Sequence, residues 1–291
     1  MQTIQLSNGI TMPQLALGTW LIHDADAAAA VRNAIQCGYR HIDTAQAYGN
    51  ERGVGEGIRT CGIDRKDIFL TTKVAAEHKS YEAAAASIDH SMELLQTGYI
   101  DLLLIHCPQP WAEYNISSYR YEKENQAVWR AMEEALVAGK VRAIGVSNFV
   151  ESDLESLKAA AKIQPMANQF LCHISNTPLA LIDYCHSRGI ATMAYSPVAH
   201  GAALHNPHIA AMADKYKVTI PQLCIRYCLQ LGMSALPKSA NPDHIRQNAQ
   251  VDFVIADEDM ELLKHIERIQ NYGEHDRWPV FGRKTHNRRR I

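Results

Sequence analysis

Short apolar runs alternate with longer segments of helical spacing along the whole chain. In Asp101–His106 four consecutive residues are apolar, rather than every second one. A strand with this pattern is covered on both faces, as in a parallel sheet. The runs are Gln14–Leu17, His41–Thr44, Ile68–Val74, Ile100–His106, Val141–Val146, Met166–Phe170, Ala191–Tyr195 and Ser234–Leu236. The clearest helical segments are Ala25–Gln36, Ser80–Leu95, Ala127–Ala138, Ser152–Ala161, Pro178–His186 and Pro221–Leu231.

Eight strand and helix units in succession predict an α/β protein, a closed (β/α)8 barrel. Near the N-terminus, Asn8-Gly9 lies between two short apolar segments and predicts a β-hairpin. An open doubly wound sheet is the alternative, but it normally carries a G-x-G-x-x-G turn, and the chain contains none. We expect one domain over residues 1–291, with a substrate loop at its C-terminal end.

Charge and composition exclude several classes of partner. The 291 residues include 29 Lys and Arg and 31 Asp and Glu, so no net positive field favours nucleic acid or an anionic membrane. No apolar stretch approaches the roughly 18 residues of a membrane-spanning helix, and residues 1–12 lack the features of a secretory signal.

Seven scattered cysteines without a C-x-x-C pair predict reduced thiols in the cytoplasm and no metal site. The one basic run, at Arg283, Lys284 and Arg288–Arg290, is interpreted as a solvated terminus.

Reactive side chains fall at the ends of three successive predicted strands, where the loops of such a barrel converge. Asp43 ends one run and Tyr48 follows it, Lys73 lies near the end of the next, and His106 ends the third. A phenol has a pKa of about 10, and a neighbouring ammonium held by a carboxylate lowers it. Asp43, Lys73 and Tyr48 therefore predict a general acid, with His106 placed to hydrogen-bond a substrate oxygen. Each residue alone has an ordinary structural interpretation; their joint placement favours the catalytic one.

Four segments resemble the signature stretches of the aldo-keto reductase superfamily. They are Gly38–Glu51, Asp101–His106, Gly139–Phe149 and Leu236–Ser239, in the order and strand context of that family. The resemblance, closest to bacterial-type reductases of aldehydes and keto-sugars, implies NADPH-dependent carbonyl reduction in a (β/α)8 barrel without metal or flavin. By position, Tyr48 resembles the proton donor, Lys73 and Asp43 the pair that lowers its pKa, and His106 the residue that orients the carbonyl.

The resemblance also implies cofactor contacts. Ser147, Asn148 and Gln169 match residues that bind the nicotinamide carboxamide, and Tyr195, followed by Ser196, matches the aromatic residue that stacks on the ring. Further along the chain, Lys238 and Ser239 match contacts to the 2′-phosphate, and Gln247 and Asn248 match contacts to the adenine.

The chain departs from the family pattern at His244, where an arginine is common. An arginine makes two charge-assisted bonds to a phosphate, and a neutral imidazole does not. Arg246 lies two positions further along a predicted helix, on the wrong face to compensate. We therefore expect NADPH with weakened discrimination against NADH.

Aromatic residues are expected to wall the substrate pocket. Trp20 matches such a wall residue, whereas Cys107 stands where many members carry a tryptophan, which predicts a wider and less aromatic mouth. Trp111 is expected to fill part of the gap, and the long segments 111–125 and 272–291 are expected to confer specificity. Small aldehydes, 2-oxoaldehydes and keto-sugars are the expected substrates of a monomer or weak oligomer.

Two other functions stay open from the sequence. In a barrel, Lys73 could form a Schiff base as in an aldolase, although this leaves Ser147, Asn148, Lys238 and Ser239 without a role. Alternatively, the chain could be an NADPH-binding regulatory barrel that senses redox state with little turnover.

Overall fold

Eight parallel strands form a nearly closed barrel in the computed structural model, which describes residues 2–281. The strands are β3 (Ala16–Gly18), β4 (His41–Asp43), β5 (Phe69–Val74), β6 (Ile100–Ile105), β7 (Val141–Ser147), β8 (Ala167–Leu171), β9 (Ala191–Tyr195) and β10 (Ser234–Leu236). Each pairs with its neighbour in chain order, and the bridges Leu15 to Ala235 and Gly18 to Lys238 join the first strand to the last. All eight predicted runs are strands, and the predicted (β/α)8 fold is confirmed.

Helices surround the barrel between the strands. They are α1 (Asp24–Gln36), α2 (Glu51–Arg59), α3 (Tyr81–Leu95), α4 (Glu122–Val137), α5 (Glu151–Lys158), α6 (Leu179–His186), α7 (Pro207–Tyr216), α8 (Ile220–Gln230), α9 (Pro242–Asn248) and α10 (Asp257–Lys264). The predicted start of α4 is five residues late, because a left-handed Tyr121 (φ 56°) ends the preceding loop and the helix begins directly after it. The predicted end of α5 is three residues late.

The predicted N-terminal hairpin is present as β1 (Thr3–Gln5) and β2 (Thr11–Pro13). Gly9 supplies the positive φ of +84° that the turn requires. Leu6 and Met12 are buried in a cluster with Leu102 and Leu104 of β6. The hairpin therefore covers the end of the barrel opposite the carboxyl ends of the strands.

A buried carboxylate ties the strands together at this N-terminal end. Asp101 accepts hydrogen bonds from Arg65 and Arg142 at 2.7 Å each, and from the backbone N–H of Leu70 at 3.0 Å. Both guanidinium groups also lie on the ring of Tyr99, at 4.0 and 5.5 Å from its centre. A buried charge is costly unless it is paired, so the two arginines stabilise the buried Asp101 and this end of the barrel. Active sites of such barrels lie at the opposite end, where the strands have their carboxyl ends. No helix within residues 2–281 is long and apolar enough to cross a membrane.

Candidate active site

The carboxyl ends of β4, β5 and β6 bring the four predicted catalytic side chains together. Asp43 is the last residue of β4, Lys73 lies in β5, and His106 follows β6. Tyr48 ends a short 3-10 turn (Gln46–Tyr48) in the loop after β4. Lys73 is fully buried, and Asp43 and His106 are less than a tenth exposed.

Lys73 donates to three oxygens at once. Its Nζ lies 2.6 Å from Asp43 Oδ1, 2.7 Å from the backbone oxygen of Thr44 and 3.3 Å from Tyr48 Oη. The second oxygen of Asp43 accepts from Gln169 Nε2 at 2.7 Å. The ammonium is thus held charged and in one orientation beside the tyrosine.

The pKa values of this pair differ from the sequence expectation. Burial raises the pKa of Tyr48 above its ordinary value, and the nearby Lys73 ammonium opposes this only in part. Burial lowers the pKa of Lys73, but Asp43 and Tyr48 together raise it by more. Lys73 therefore stays charged and Tyr48 stays protonated at neutral pH. The expected net lowering of the tyrosine pKa is not found, because the cavity removes the phenol from water.

His106 is held as a neutral imidazole. Its pKa lies well below the ordinary value, mainly because the ring is buried and to a smaller extent because Lys73 and Lys79 are positively charged. Its ring meets the rings of Tyr48 and Trp111 edge-on, with centres 5.6 and 5.1 Å apart. Its Nδ1 is buried and has no hydrogen-bond partner among residues 2–281. A buried nitrogen without a partner is costly, and such a cost in a folded protein calls for a functional explanation.

A cavity of about 800 Å³ opens over this cluster. It reaches from the ring of Tyr48 to the loop after β10, and such a volume accommodates a ligand of drug size or larger. The predicted site residues that line it are Trp20, Asp43, Tyr48, His106, Trp111, Asn148, Tyr195, Ser196, Lys238, Ser239, His244, Gln247 and Asn248. The cavity therefore joins the predicted catalytic residues to the predicted phosphate and adenine contacts.

Three predicted site residues do not line the cavity. Lys73 and Gln169 lie behind Asp43, and Ser147 is buried, its Oγ accepting from Asn148 Nδ2 at 3.1 Å. Asn148 itself, in a left-handed conformation (φ 63°), donates to the backbone oxygen of His106 and accepts from Tyr195 Oη at 2.7 Å. Asn148 thus links His106, the residue predicted to orient the carbonyl, to Tyr195, the residue expected to stack on the cofactor.

At the phosphate end, Lys238 and His244 line the cavity and Arg246 does not. Arg246 donates instead to Asp243 at 2.8 Å on the exposed side of α9. The expectation that Arg246 faces away from the cavity agrees with this ion pair.

Trp111 lies on the cavity wall, where the sequence analysis expects it to fill part of the gap beside Cys107. The side chain of Cys107 is fully buried and does not line the cavity. Trp111, from the following loop, lines it and lies against His106. Arg120 fixes the end of this loop, because its Nη2 donates to both carboxylate oxygens of Asp153, at 2.6 and 2.7 Å. The aromatic wall is thus supplied four residues later in the chain.

The C-terminal segment closes the cavity from the other side. Trp278 and Phe281 line it and contact Trp20, with ring centres 5.5 and 6.2 Å away. Tyr272 anchors the segment, because its hydroxyl lies 3.0 Å from His173 Nε2. The segment expected to form a substrate loop therefore lines the cavity as far as residue 281, whereas the rest of it and the basic run at 283–290 lie outside the described residues.

Sequence reasoning missed Glu77, His200 and His275, which also line the cavity. The imidazoles of His200 and His275 stack at 4.2 Å, which joins the loop after β9 to the C-terminal segment. Ala199, His200 and Gly201 are all left-handed, and only Gly201 signals such a turn in the sequence. Glu77 follows β5 by three residues, and its position after a strand end was the available signal.

Comparison with known proteins decides the family. The model of the Aldo/keto reductase family matches residues 14–268. The chain belongs to the aldo/keto reductase family. It is therefore an NAD(P)H-dependent oxidoreductase.

The relatives cover nearly the whole chain. It is 38% identical over 273 residues to glyoxal reductase of Bacillus subtilis, which covers 93% of this chain and 95% of the relative. It is 39% identical over 275 residues to 9,11-endoperoxide prostaglandin H2 reductase of Trypanosoma cruzi, which covers 93% of both chains. Among solved structures, the aldo-keto reductase of Bombyx mori in complex with NADP matches with a TM-score of 0.83 and 30% identity, covering 96% of this chain and 98% of that one.

Proposed function

We propose that this aldo/keto reductase reduces the carbonyl group of small aldehydes, 2-oxoaldehydes or keto-sugars, with Tyr48 as the general acid. The observation that carries the proposal is the placement of the Tyr48 hydroxyl, 3.3 Å from a fully buried Lys73, on the wall of a cavity. The Bacillus subtilis relative is named glyoxal reductase, and glyoxal is the simplest dialdehyde. This name supports the 2-oxoaldehyde class of substrates. A cytoplasmic location, a single domain and a monomeric or weakly oligomeric state belong to the same proposal.

The substrate oxygen is bound between Tyr48 and His106. The neutral imidazole donates one hydrogen bond and orients the carbonyl, and the phenol donates the second. As negative charge develops on that oxygen, the Tyr48 proton moves to it. The tyrosinate left behind is stabilised by Lys73, whose charge Asp43 holds in place.

The cavity fits a nicotinamide dinucleotide. Tyr195 would stack on the nicotinamide ring, and Asn148, with Ser147 and Gln169 behind it, would hold the carboxamide. Lys238 and Ser239 would bind the 2′-phosphate, while Gln247 and Asn248 would hold the adenine. The polar side chains at both ends of the cavity match such a ligand. When bound, the reduced cofactor supplies the hydride that reaches the carbonyl carbon.

We predict that His244→Arg strengthens binding of NADPH about 10- to 150-fold and leaves binding of NADH unchanged. The reason is that arginine adds charge-assisted bonds to the 2′-phosphate, which an imidazole makes only weakly. Binding of NADPH and NADH is measured by calorimetry on the wild type and the variant. Asp243→Asn is the matched control, since it frees Arg246 on the outer side of α9 without changing the cavity wall. An equal gain for both cofactors would contradict the assignment of this subsite.

The aldolase alternative is disfavoured by the state of Lys73. A Schiff base needs a neutral amine, and this ammonium is fully buried, ion-paired and of raised pKa. The regulatory alternative has no observation in its favour. The proton-donating residues all line one cavity or support its wall, which favours a catalytic site over a sensor.

The experiment that tests the proposal follows NADPH and NADH oxidation over a panel of aldehydes, 2-oxoaldehydes and keto-sugars. We expect turnover with part of the panel, and faster turnover with NADPH than with NADH. Tight binding of cofactor without turnover of any carbonyl would overturn the reductase and favour the regulatory barrel. Trapping of the chain by borohydride with a carbonyl substrate would favour the aldolase.

A further inference from the structure

A carboxylate lies on the rim of the cavity beside the proposed catalytic residues. Glu77 is exposed and lines the cavity from the loop between β5 and α3. Its Oε1 lies 3.4 Å from the backbone nitrogen of Trp111, which donates to it. The ring of Trp111 meets that of His106 edge-on, and the ring of His106 meets that of Tyr48 in the same way. Trp111 therefore links the carboxylate to the residues that are proposed to bind the carbonyl.

Glu77 dominates the charge at this part of the rim. Asp43 also lines the cavity, but it is buried and neutralised by Lys73. Lys238 follows β10, three strands away from β5 around the barrel. Within residues 2–281, no Lys, Arg or His forms an ion pair with Glu77. A substrate that extends from the catalytic tyrosine towards Trp111 thus meets one negative charge.

One cationic group near this rim, Lys79, and one on the C-terminal segment, Arg277, are engaged elsewhere. Lys79 donates to the backbone oxygen of Cys107 and to Asn125 Oδ1, at 2.8 and 2.9 Å, and burial lowers its pKa to about 8. Arg277 lies on the ring of Trp278, 5.5 Å from its centre, and does not line the cavity. Lys79 is close enough for the Glu77 carboxylate to raise its pKa, and it offsets part of that charge, but neither Lys79 nor Arg277 lines the cavity. Glu77 is therefore the charged group of this rim that a substrate touches.

We propose that Glu77 determines substrate charge, so that the enzyme takes neutral and cationic carbonyl compounds and discriminates against those that carry a carboxylate. The inference rests on the proposed reductase function and names the substrate class of the same site. A fixed charge beside a cavity with apolar walls acts on a substrate more strongly than it would in bulk water. We expect an effect of about 3- to 10-fold on kcat/KM.

Glu77→Gln isolates the charge, because glutamine keeps an oxygen that accepts from the Trp111 nitrogen. Three aldehydes of similar shape serve as probes: anionic 4-formylbenzoate, neutral benzaldehyde and cationic 4-formyl-trimethylanilinium. The ratio of variant to wild-type kcat/KM cancels the intrinsic reactivity of each aldehyde. We expect this ratio to be about 3 to 10 for the anion, near 1 for benzaldehyde and about 0.1 to 0.3 for the cation. The change is expected in KM rather than kcat, and high salt reduces it.

Glu82→Gln is the matched control, since Glu82 is exposed at the start of α3 and does not line the cavity. We expect ratios near 1 for all three aldehydes in this control. Glu77→Lys tests the sign, because it reverses the preference if the effect is one of charge. Equal ratios for the three aldehydes in Glu77→Gln would overturn the role of Glu77 and leave the reductase intact. Absence of turnover with every aldehyde in the wild type would overturn the proposed function and, with it, this inference.

Discussion

Replacing Tyr48 by phenylalanine is expected to lower kcat for carbonyl reduction by about 10²- to 10⁴-fold. The phenol is the proton donor that the geometry places beside Lys73, and phenylalanine keeps the ring while removing the proton. Steady-state rates with saturating NADPH measure the loss. Because the ring remains on the cavity wall, cofactor binding measured by protein fluorescence is expected to change less than about 3-fold.

The control for this prediction is a tyrosine outside the cluster. Tyr119 is exposed and donates to Glu124 at 2.6 Å, and it does not line the cavity. Tyr119→Phe is expected to keep nearly all activity. A Tyr48→Phe variant that turns over as fast as this control would remove Tyr48 from the mechanism.

Replacing Lys73 by methionine is expected to cost about 3–5 kcal/mol of unfolding free energy, together with activity. The stability loss arises because Asp43, only 3% exposed, keeps its charge while its cationic partner is gone. Urea denaturation followed by circular dichroism measures the loss as a lower midpoint at unchanged slope.

A double variant separates the charge from the packing. Asp43→Asn in the Lys73→Met background removes the uncompensated carboxylate, so we expect it to recover part of the stability but none of the activity. Lys140→Met breaks an exposed ion pair with Asp89 and is expected to cost less than about 1 kcal/mol. A single Lys73→Met variant as stable as Lys140→Met would contradict the account of the buried pair.

The strands were predictable because the barrel covers them on both faces. Every residue of β5 and β6 is buried, and in β6 this leaves four consecutive apolar residues, Leu102–Ile105. The strand ends then located Asp43, Lys73 and His106 without knowledge of any distance, since the carboxyl ends of neighbouring parallel strands meet at one mouth.

Helix α2 was not predicted, because its glycines argue against a helix. Gly53 and Gly55 approach neighbouring chain segments so closely that an added Cβ would lie 2.1 Å from the Asp24 oxygen and 2.0 Å from the Leu95 oxygen. Close packing against α1 and α3 thus outweighs a local cost of about 1 kcal/mol per glycine. Such tertiary contacts leave no periodic pattern in the sequence.

The rim of the cavity was predicted least well. Trp111 was expected in the gap beside Cys107 and lines the cavity, but the full burial of the Cys107 side chain was not predicted. Loop geometry decides such contacts, and a residue count along the chain does not reveal it. The stacked pair His200 and His275 escaped prediction for the same reason, whereas Glu77 was missed although its position shortly after a strand end was a signal.

The pH dependence of kcat/KM for reduction, with saturating NADPH, tests most directly which group is the acid. An acid must be protonated to act, so activity is lost as the pH rises through its pKa. Since burial raises the pKa of Tyr48, we predict a flat profile between about pH 6 and pH 8, with a decline only at alkaline pH. The pKa of His106 lies well below its ordinary value. A rate that falls about tenfold per pH unit across that neutral range would make His106 the acid and contradict the role of Tyr48.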